Sequence, residues 1–274
     1  MGSSTLQKGY APINGLNLYF EVHGTGEPLV LLHGGLGATE MLGDILPALA
    51  ETRRVIAVDL QAHGRTADGD RPLSFEAMAD DVAGLLQYLR IERADVIGYS
   101  LGAGVALRTA IQHPDLIRKL VVVSTVFKRD GWYPEVLESM AQMGPATAEM
   151  IKQSPIYAMY ARIAPKPEDW LVLVTKIGVL LRKDFDWSNE VAAITAPTLL
   201  VFGDADSVRL AHVVEFFGLL GGGKRDAGWD GSGMSDARLA ILPGATHYNI
   251  FDSPALAATV IPFLEAPVRT AERA

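Results

Sequence analysis

A serine motif gives the first indication of chemistry in this chain. Residues 98–102 read GYSLG and match G-x-S-x-G, in which the serine stands at a sharp turn between a strand and a helix. A serine hydroxyl is a weak nucleophile unless a histidine accepts its proton and a carboxylate orients that histidine. The motif therefore predicts that Ser100 is a nucleophile, and it requires a histidine and an acid elsewhere in the chain.

Among the six histidines, His247 is the best candidate for the base. It lies in a loop after the last predicted strand, 239–242, and catalytic groups gather at such strand ends in open α/β sheets. The remaining histidines are expected to have structural roles: His23, His33, His63, His113 and His212.

The candidate acid follows the predicted strand 197–202, in the sequence GDAD at 203–206. Asp206 stands further out on this loop and is better placed to reach a neighbouring loop. Asp204, next to the strand, is expected to accept hydrogen bonds from backbone amides of the turn. Asp130, which follows an earlier strand, is an outside candidate for the acid.

An acyl-transfer site also needs two preorganised N–H donors for the developing oxyanion. One predicted donor is the amide of Leu101, which begins the helix after Ser100 and gains from the helix dipole. The other is the amide of Gly35, in the glycine-rich turn 33–37 that follows the predicted strand 28–32.

The elements that position these groups alternate between apolar strands and amphipathic helices. Strands are predicted at 16–22, 28–32, 54–60, 94–99, 119–124, 197–202 and 239–242, and helices at 40–50, 75–89, 101–112 and 254–264. Ser74 should cap the second of these helices, and Pro114 should end the third. Strand and helix alternation of this kind predicts an α/β fold with a mostly parallel sheet and helices on both faces.

The alternation stops between residues 126 and 195, where Met, Trp and Tyr recur at mostly helical spacing. This pattern predicts a helical cap, residues 126–195, inserted into a core formed by residues 1–125 and 196–274. Some aromatic and methionine side chains should line the substrate pocket. The pocket candidates are His33, Tyr99, Trp132, Tyr133, Met143, Tyr157, Tyr160 and Tyr248.

The composition and motifs of the chain argue against several kinds of partner and cofactor. Acidic residues number 32 against 24 basic residues, a net charge of -8, which argues against nucleic acid or an anionic membrane as the main partner. Without cysteine the chain has no disulfide, thiolate metal site or cysteine nucleophile. It also lacks an H-E-x-x-H motif and a G-x-G-x-x-G turn after a strand, so no metal and no other cofactor is expected.

The amino-terminal residues are predicted to be neither an export signal nor a lipidation signal. Residues 1–9 lack the apolar core of a signal peptide, and Leu6 stands where an N-myristoylation signal needs Ser or Thr. With no long apolar run, these features favour a soluble, cytoplasmic protein, and a monomer and a homodimer both remain open.

The glycine-rich segment 218–236 resembles a phosphate-binding loop at GLLGGGK, but it lacks the final Ser or Thr and is interpreted as a surface loop.

On these motifs the chain resembles the α/β-hydrolase superfamily, in particular its small, capped, carboxylesterase-like members. The resemblance spans nearly the whole chain and lies in residues 33–35 (HGG), 59–66 (DLQAHGRT), 98–102, 203–206 and His247. Ala62 replaces the first glycine of the D-x-x-G-x-G pattern common in the family, and Thr246 precedes the histidine where glycine is frequent. The resemblance implies the α/β-hydrolase fold and a triad in the order Ser100, Asp206, His247.

A serine at this turn predicts hydrolysis of a carboxylic ester or lactone of a small, mainly apolar substrate through an acyl-enzyme. Serine at position 100 excludes the chemistry of epoxide hydrolases and haloalkane dehalogenases, which need a carboxylate at this position. Three alternatives remain: C–C bond hydrolysis, perhydrolysis, or a small-molecule receptor with slow turnover. Four basic residues of the cap segment could face either the pocket or solvent, and solvent is the expectation; they are Lys128, Arg129, Lys166 and Arg182.

Overall fold

The structure, a computed structural model, describes residues 7–268. The expectations about residues 1–6, Leu6 included, lie outside the described residues. The strands are β1 (Gln7–Ile13), β2 (Leu16–His23), β3 (Glu27–Leu32), β4 (Arg53–Val58), β5 (Ala94–Tyr99), β6 (Ile117–Val123), β7 (Thr198–Ala205) and β8 (Arg238–Thr246). The helices are α1 (Ile45–Ala50), α2 (Phe75–Tyr88), α3 (Leu101–Gln112), α4 (Pro134–Ala141), α5 (Pro145–Met150), α6 (Pro155–Ile163), α7 (Trp170–Arg182), α8 (Ser188–Ala192), α9 (Leu210–Leu219) and α10 (Pro254–Glu265).

The strands form one eight-stranded sheet in the order β1-β2-β4-β3-β5-β6-β7-β8. β2 pairs antiparallel with both β1 and β4, and all other neighbours pair parallel. The predicted mostly parallel sheet is therefore confirmed. Because the parallel strands all run the same way, the loops after β3, β5, β6, β7 and β8 meet at one edge of the sheet.

Both faces of the sheet are covered by helices, as the strand composition requires. On one face, α2, α3 and the helices between β6 and β7 bury apolar side chains such as Met78, Leu107 and Trp170. On the other face, α1 and α10 contribute side chains such as Leu49 and Leu256. Burying each such side chain stabilises the fold by about 1.5–3 kcal/mol. At the start of α2, Ser74 Oγ accepts a hydrogen bond from the Ala77 amide at 3.0 Å, as predicted.

Two elements differ from the sequence prediction. The strand β1 was not predicted, because Gly9 and Pro12 weaken its pattern; proline is tolerated there since β1 is an edge strand. The helix predicted over 40–50 is reduced to a 3₁₀ turn, Thr39–Met41, followed by α1. Gly43 lies between them with φ +51°, which interrupts a continuous helix.

Helices α4–α8 lie between β6 and β7, within the segment predicted as a cap, here called the helical insertion (residues 126–195). Arg162 on α6 pairs with Glu40 at 3.1 Å, and Glu40 also pairs with Arg65 at 2.7 Å, which ties the insertion to the sheet domain. The division of the chain into core and cap domains stays a prediction. Within residues 7–268 no helix combines the length and apolarity that a bilayer crossing needs.

Three buried histidines make the folded protein sensitive to acid. Burial lowers the pKa of His33 to about 4, of His63 to about 3 and of His212 to about 4. In the unfolded chain each titrates near 6.5, so below that pH the unfolded state binds more protons than the folded state. We expect the free energy of unfolding to fall from about pH 6.5 to pH 5, by at most about 1.4 kcal/mol per pH unit for each histidine. Denaturant titrations at several pH values measure this slope.

His212→Gln provides the matched control for the acid sensitivity. His212 Nε2 accepts a hydrogen bond from the Phe127 amide at 3.3 Å, and a glutamine oxygen can accept the same bond without titrating. The slope should be shallower in this variant. A wild-type protein whose stability rises on acidification through this range would contradict the assignment of neutral buried histidines.

Candidate active site

Ser100 lies at a tight turn between β5 and α3. Its backbone has φ 53° and ψ −115°, a conformation that costs a non-glycine residue about 1–3 kcal/mol. A Cβ added to Gly98 would lie 2.1 Å from the Gly102 carbonyl oxygen, and one added to Gly102 would lie 2.4 Å from the His33 carbonyl oxygen. Only glycine fits at these two positions, which explains the spacing of the motif and places the Ser100 hydroxyl at the carboxyl edge of the sheet.

Ser100, His247 and Asp206 form a continuous hydrogen-bonded chain. The Ser100 Oγ lies 3.0 Å from His247 Nε2, and His247 Nδ1 lies 3.1 Å from Asp206 Oδ1. These are the contacts that general-base activation of a serine requires. The three residues come from the loops after β5, β8 and β7, so the sheet topology brings Ser100 together with two residues that lie more than 100 positions further along the chain.

Asp206 is almost completely buried but stays ionised. Burial alone would raise its pKa, but hydrogen bonds from His247 and Ser124 outweigh that effect and hold the pKa below its usual value. The Gly203 amide donates a further bond to Asp206 Oδ2 at 3.2 Å. The ionised Asp206 therefore accepts the hydrogen bond from His247 Nδ1 that fixes the orientation of the imidazole.

Ser124 is a member of the site that the sequence analysis missed. It follows β6 with φ 54°, is fully buried, and its Oγ donates a 2.5 Å hydrogen bond to Asp206 Oδ2. No motif marks it. The available signal was its position at the carboxyl end of the strand beside β7, where the acid was already predicted to lie.

We expect Ser124→Ala to lower kcat/KM by about 10-fold, because loss of the bond leaves a buried carboxylate oxygen under-satisfied at a cost of about 1–3 kcal/mol. The pKa of Asp206 should rise, so the loss of activity on acidification should begin at higher pH. Steady-state rates across a pH series measure both effects. Ser124→Gly removes the same hydroxyl while easing the positive φ; wild-type activity in that variant would show that the hydroxyl does not support the acid.

Tyr99 holds the loop that carries His247. Its hydroxyl donates a hydrogen bond to the backbone carbonyl of His247, and its ring stacks on Phe251 with centroids 4.9 Å apart. Trp132, from the helical insertion, packs edge-on against the His247 ring with centroids 5.5 Å apart. The imidazole is therefore fixed by packing as well as by Asp206.

The two predicted oxyanion donors lie side by side. A Cβ on Gly35 would be 3.8 Å from Leu101 Cβ, and both residues line a cavity that reaches Ser100. Neither amide has a hydrogen-bond acceptor within the part of the chain that the structure describes. The Leu101 amide also stands at the first turn of the 12-residue helix α3, where the dipole favours negative charge. Both N–H groups can therefore donate to a substrate oxygen.

Two cavities meet at Ser100. The larger, about 370 Å³, lies beside His247 and is lined by His33, Tyr99 and Tyr248 among others. The smaller, about 100 Å³, lies beneath the helical insertion. This arrangement gives a substrate carbonyl at Ser100 one space for each of its two substituents. A still larger cavity, about 560 Å³, lies at the amino ends of β6–β8 and contains none of the predicted site residues.

Five of the eight predicted pocket residues line cavities at Ser100 or His247, and three do not. His33, Tyr99 and Tyr248 line the larger cavity and Trp132 lines the smaller one. Met143 lines a neighbouring cavity of about 350 Å³ that also contacts His247. His33 in addition shapes its own turn, since its Nδ1 donates to the Gly34 carbonyl and its Nε2 accepts from the Leu60 amide.

Three predicted pocket residues line none of these three cavities. Tyr157 and Tyr160 pack against Trp170 instead, with ring centroids 5.3 and 5.1 Å away, and Tyr160 is buried in the core cluster that also contains Trp170. Tyr133 lies at the amino end of α4 and is 38% exposed to solvent.

The other acids considered for the triad lie away from Ser100. Asp204 Oδ1 accepts a hydrogen bond from a backbone amide at 2.9 Å, as predicted in kind, but the donor is Gly244 in β8 and not an amide of its own turn. Asp130 lies on the surface beside Lys128 and Arg209, so the outside candidate is not placed at the site. Among residues 7–268 no cluster of three or more His, Asp or Glu side chains could hold a metal ion.

Comparison with known proteins identifies the class. A family model described as alpha/beta hydrolase fold matches residues 27–153. The chain is 31% identical over 215 residues to the pimeloyl-acyl-carrier-protein methyl ester esterase of Aeromonas hydrophila, a match covering 70% of this chain and 82% of that protein. The chain therefore belongs to the α/β-hydrolase family, and its fold is the one that the family shares.

Two further similarities show the range of the family around this chain. It is 36% identical over 141 residues to 2-hydroxymuconate semialdehyde hydrolase from a Pseudomonas species, a match that spans about half of that protein, 49% of each chain. The crystal structure of E-2-(acetamidomethylene)succinate hydrolase superposes with a TM-score of 0.74 at 21% identity, covering 96% of this chain and all of that one. At that identity the second similarity concerns the fold alone.

Proposed function

We propose that the protein is a serine hydrolase that cleaves a carboxylic ester or lactone through an acyl-enzyme. The observation that carries this proposal is the hydrogen-bonded chain from Ser100 through His247 to Asp206, with contacts of 3.0 and 3.1 Å, at the meeting point of two cavities. The similarity of this chain to a methyl ester esterase, over most of that esterase's length, supports ester hydrolysis.

In the acylation half-reaction, His247 Nε2 takes the proton of the Ser100 hydroxyl as its oxygen attacks the substrate carbonyl carbon. The carbonyl oxygen becomes negative and accepts hydrogen bonds from the Gly35 and Leu101 amides. Asp206 stabilises the positive charge that forms on His247. Collapse of the intermediate expels the alkoxide, which takes the proton from His247 and leaves as the alcohol, while the acyl group stays on Ser100.

In the deacylation half-reaction, a water molecule takes the place of the alcohol. His247 accepts its proton, the hydroxide oxygen attacks the acyl carbon, and the same two amides hold the second oxyanion. When that intermediate collapses, Ser100 regains its proton from His247 and the carboxylic acid is released. The larger cavity, which contacts His247, is the side from which alcohol leaves and water enters.

Hydrolysis of p-nitrophenyl esters with short and medium acyl chains tests the proposal. We expect saturable release of p-nitrophenol by the purified protein, and loss of that turnover after treatment with a serine-directed phosphonate. Absence of turnover on every ester by a folded protein would contradict ester hydrolysis. Turnover that survives the phosphonate would contradict a serine nucleophile.

C–C bond hydrolysis is the second candidate, supported by the similarity to 2-hydroxymuconate semialdehyde hydrolase over residues that make up about half of this chain. Cleavage of a vinylogous diketone needs the same triad, so the site geometry fits both reactions. Parallel assays on a ring-fission diketone and on p-nitrophenyl esters separate them, because a C–C hydrolase should have the higher kcat/KM on the diketone. Ester hydrolysis has the stronger support, because the match covers 82% of the esterase relative but only 49% of the C–C hydrolase.

A further inference from the structure

The smaller cavity at Ser100 contains an arginine. Its walls are largely apolar and include Phe75, Trp132 and Ile177, yet Arg129 also lines it and is only partly exposed to solvent. The sequence analysis expected this residue to face solvent, so the structure corrects that expectation. A partly desolvated guanidinium in apolar surroundings is costly unless an anion or several acceptors accompany it.

Arg129 lacks a partner for its charge within residues 7–268. Its Nε donates to the Leu181 carbonyl at 3.1 Å, but neither terminal nitrogen has an acceptor and no carboxylate lies within ion-pair distance. Two neighbouring acids are engaged elsewhere. Asp130, next in the chain, lies beside Lys128 and Arg209, and Asp186, which is bridged to Lys128, accepts hydrogen bonds from Ser188. The bond to Leu181 fixes the plane of the guanidinium and leaves the four N–H groups of the two terminal nitrogens for a ligand.

Thr125 adds a second polar group to the same cavity. It is 4% exposed, it lines the cavity, and its hydroxyl has no hydrogen-bond partner among the described residues. The cavity therefore offers a guanidinium and a hydroxyl, close to the nucleophile, to a ligand that brings its own acceptors.

We propose that the acyl part of the substrate carries a carboxylate that binds Arg129. An arginine fork binds a carboxylate through two parallel hydrogen bonds, and the Thr125 hydroxyl can donate a third. The cavity is small, about 100 Å³, so the chain that separates the two carbonyl carbons must be short. The substrate class is a half-ester of a short dicarboxylic acid, or a lactone whose ring carries a free carboxylate. This inference rests on the proposed ester hydrolysis.

Matched ester pairs test the inference. The mono-p-nitrophenyl ester of glutaric acid carries a terminal carboxylate, and p-nitrophenyl pentanoate is its neutral counterpart of similar length. We expect the wild type to have a higher kcat/KM on the anionic ester. Because hydrogen bonds to a charged group are strong, Arg129→Met should lower the ratio of the two kcat/KM values by about 10- to 100-fold. Arg129→Lys, which keeps the charge but loses the fork, should lower it less.

Arg182→Met is the matched control. Arg182 also belongs to the helical insertion and also donates to backbone carbonyls, those of Ala141 and Met143, but it lines neither cavity at Ser100. Its removal should leave the ratio unchanged. If Arg129→Met lowers activity on both esters equally, Arg129 only caps the end of α7 and the inference is overturned.

A binding measurement keeps this inference separate from the proposed function. If the wild type hydrolyses neither ester, ester hydrolysis fails, and calorimetry with glutarate decides the carboxylate site independently. Glutarate should bind the Ser100→Ala protein and bind the Ser100→Ala, Arg129→Met protein at least about 10-fold more weakly. Equal binding by the two proteins, or no binding by either, would overturn the inference.

Discussion

Replacing Ser100 by alanine should lower kcat/KM on a p-nitrophenyl ester by about 10⁴-fold or more, because the nucleophile and the base act as a unit. The residual rate would come from the oxyanion donors and from substrate binding alone. Measurement of steady-state rates beside the exposed-surface control Ser232→Ala checks the effect. A variant within about 100-fold of wild type would contradict a catalytic Ser100.

The same position links activity to stability. Serine at φ 53° and ψ −115° is strained, and alanine keeps that strain, whereas glycine adopts such a conformation freely. We expect Ser100→Gly to be as inactive as Ser100→Ala but more stable by about 1 kcal/mol in its free energy of unfolding. Equal stabilities would show that the turn does not strain residue 100.

Replacing His247 by alanine should have an effect of the same size, about 10⁴-fold or more on kcat/KM, since Ser100 would lose its base. His33, which also lines the larger cavity, cannot substitute because its two nitrogens are already bonded to the Gly34 carbonyl and the Leu60 amide. Steady-state kinetics on the same ester measures the loss.

His113→Ala serves as the control for the histidine substitution. His113 lies at the end of α3 and pairs with Asp80 at 2.8 Å on the surface, away from Ser100. Its replacement should change kcat/KM by less than about 3-fold. If His247→Ala retained comparable activity, another group would have to be the base and the proposed triad would be wrong.

The sequence predicted the parts of the site that depend on local turn chemistry. Ser100 was predicted because glycines at 98 and 102 are required where the two backbones approach, and the structure shows that close approach. Asp206 and His247 were predicted because each follows an apolar strand, and parallel strands end at one edge. The order of strands and helices was also largely predicted, because apolar strand patterns alternate with helical patterns along the chain.

The remaining features depend on contacts between distant segments, which periodicity does not encode. Ser124 matters only because β6 lies beside β7, and Arg129 faces the cavity only because α7 packs over it. Tyr157 and Tyr160 carry the composition of pocket residues but pack within the insertion around Trp170. Side-chain type indicated which chemistry was available in these segments, and packing determined which residues reached Ser100.

The measurement that tests the central claim most directly is the trapping of an acyl-enzyme. Rapid mixing with a p-nitrophenyl ester should give a burst of one p-nitrophenol per active site where deacylation is the slower step, and acid quenching should preserve the acyl group. Mass spectrometry of the digested protein should then find the added acyl mass on the peptide that contains Ser100. The acyl mass on another residue, or turnover with no covalent intermediate and no burst under conditions that trap other serine esterases, would contradict the account.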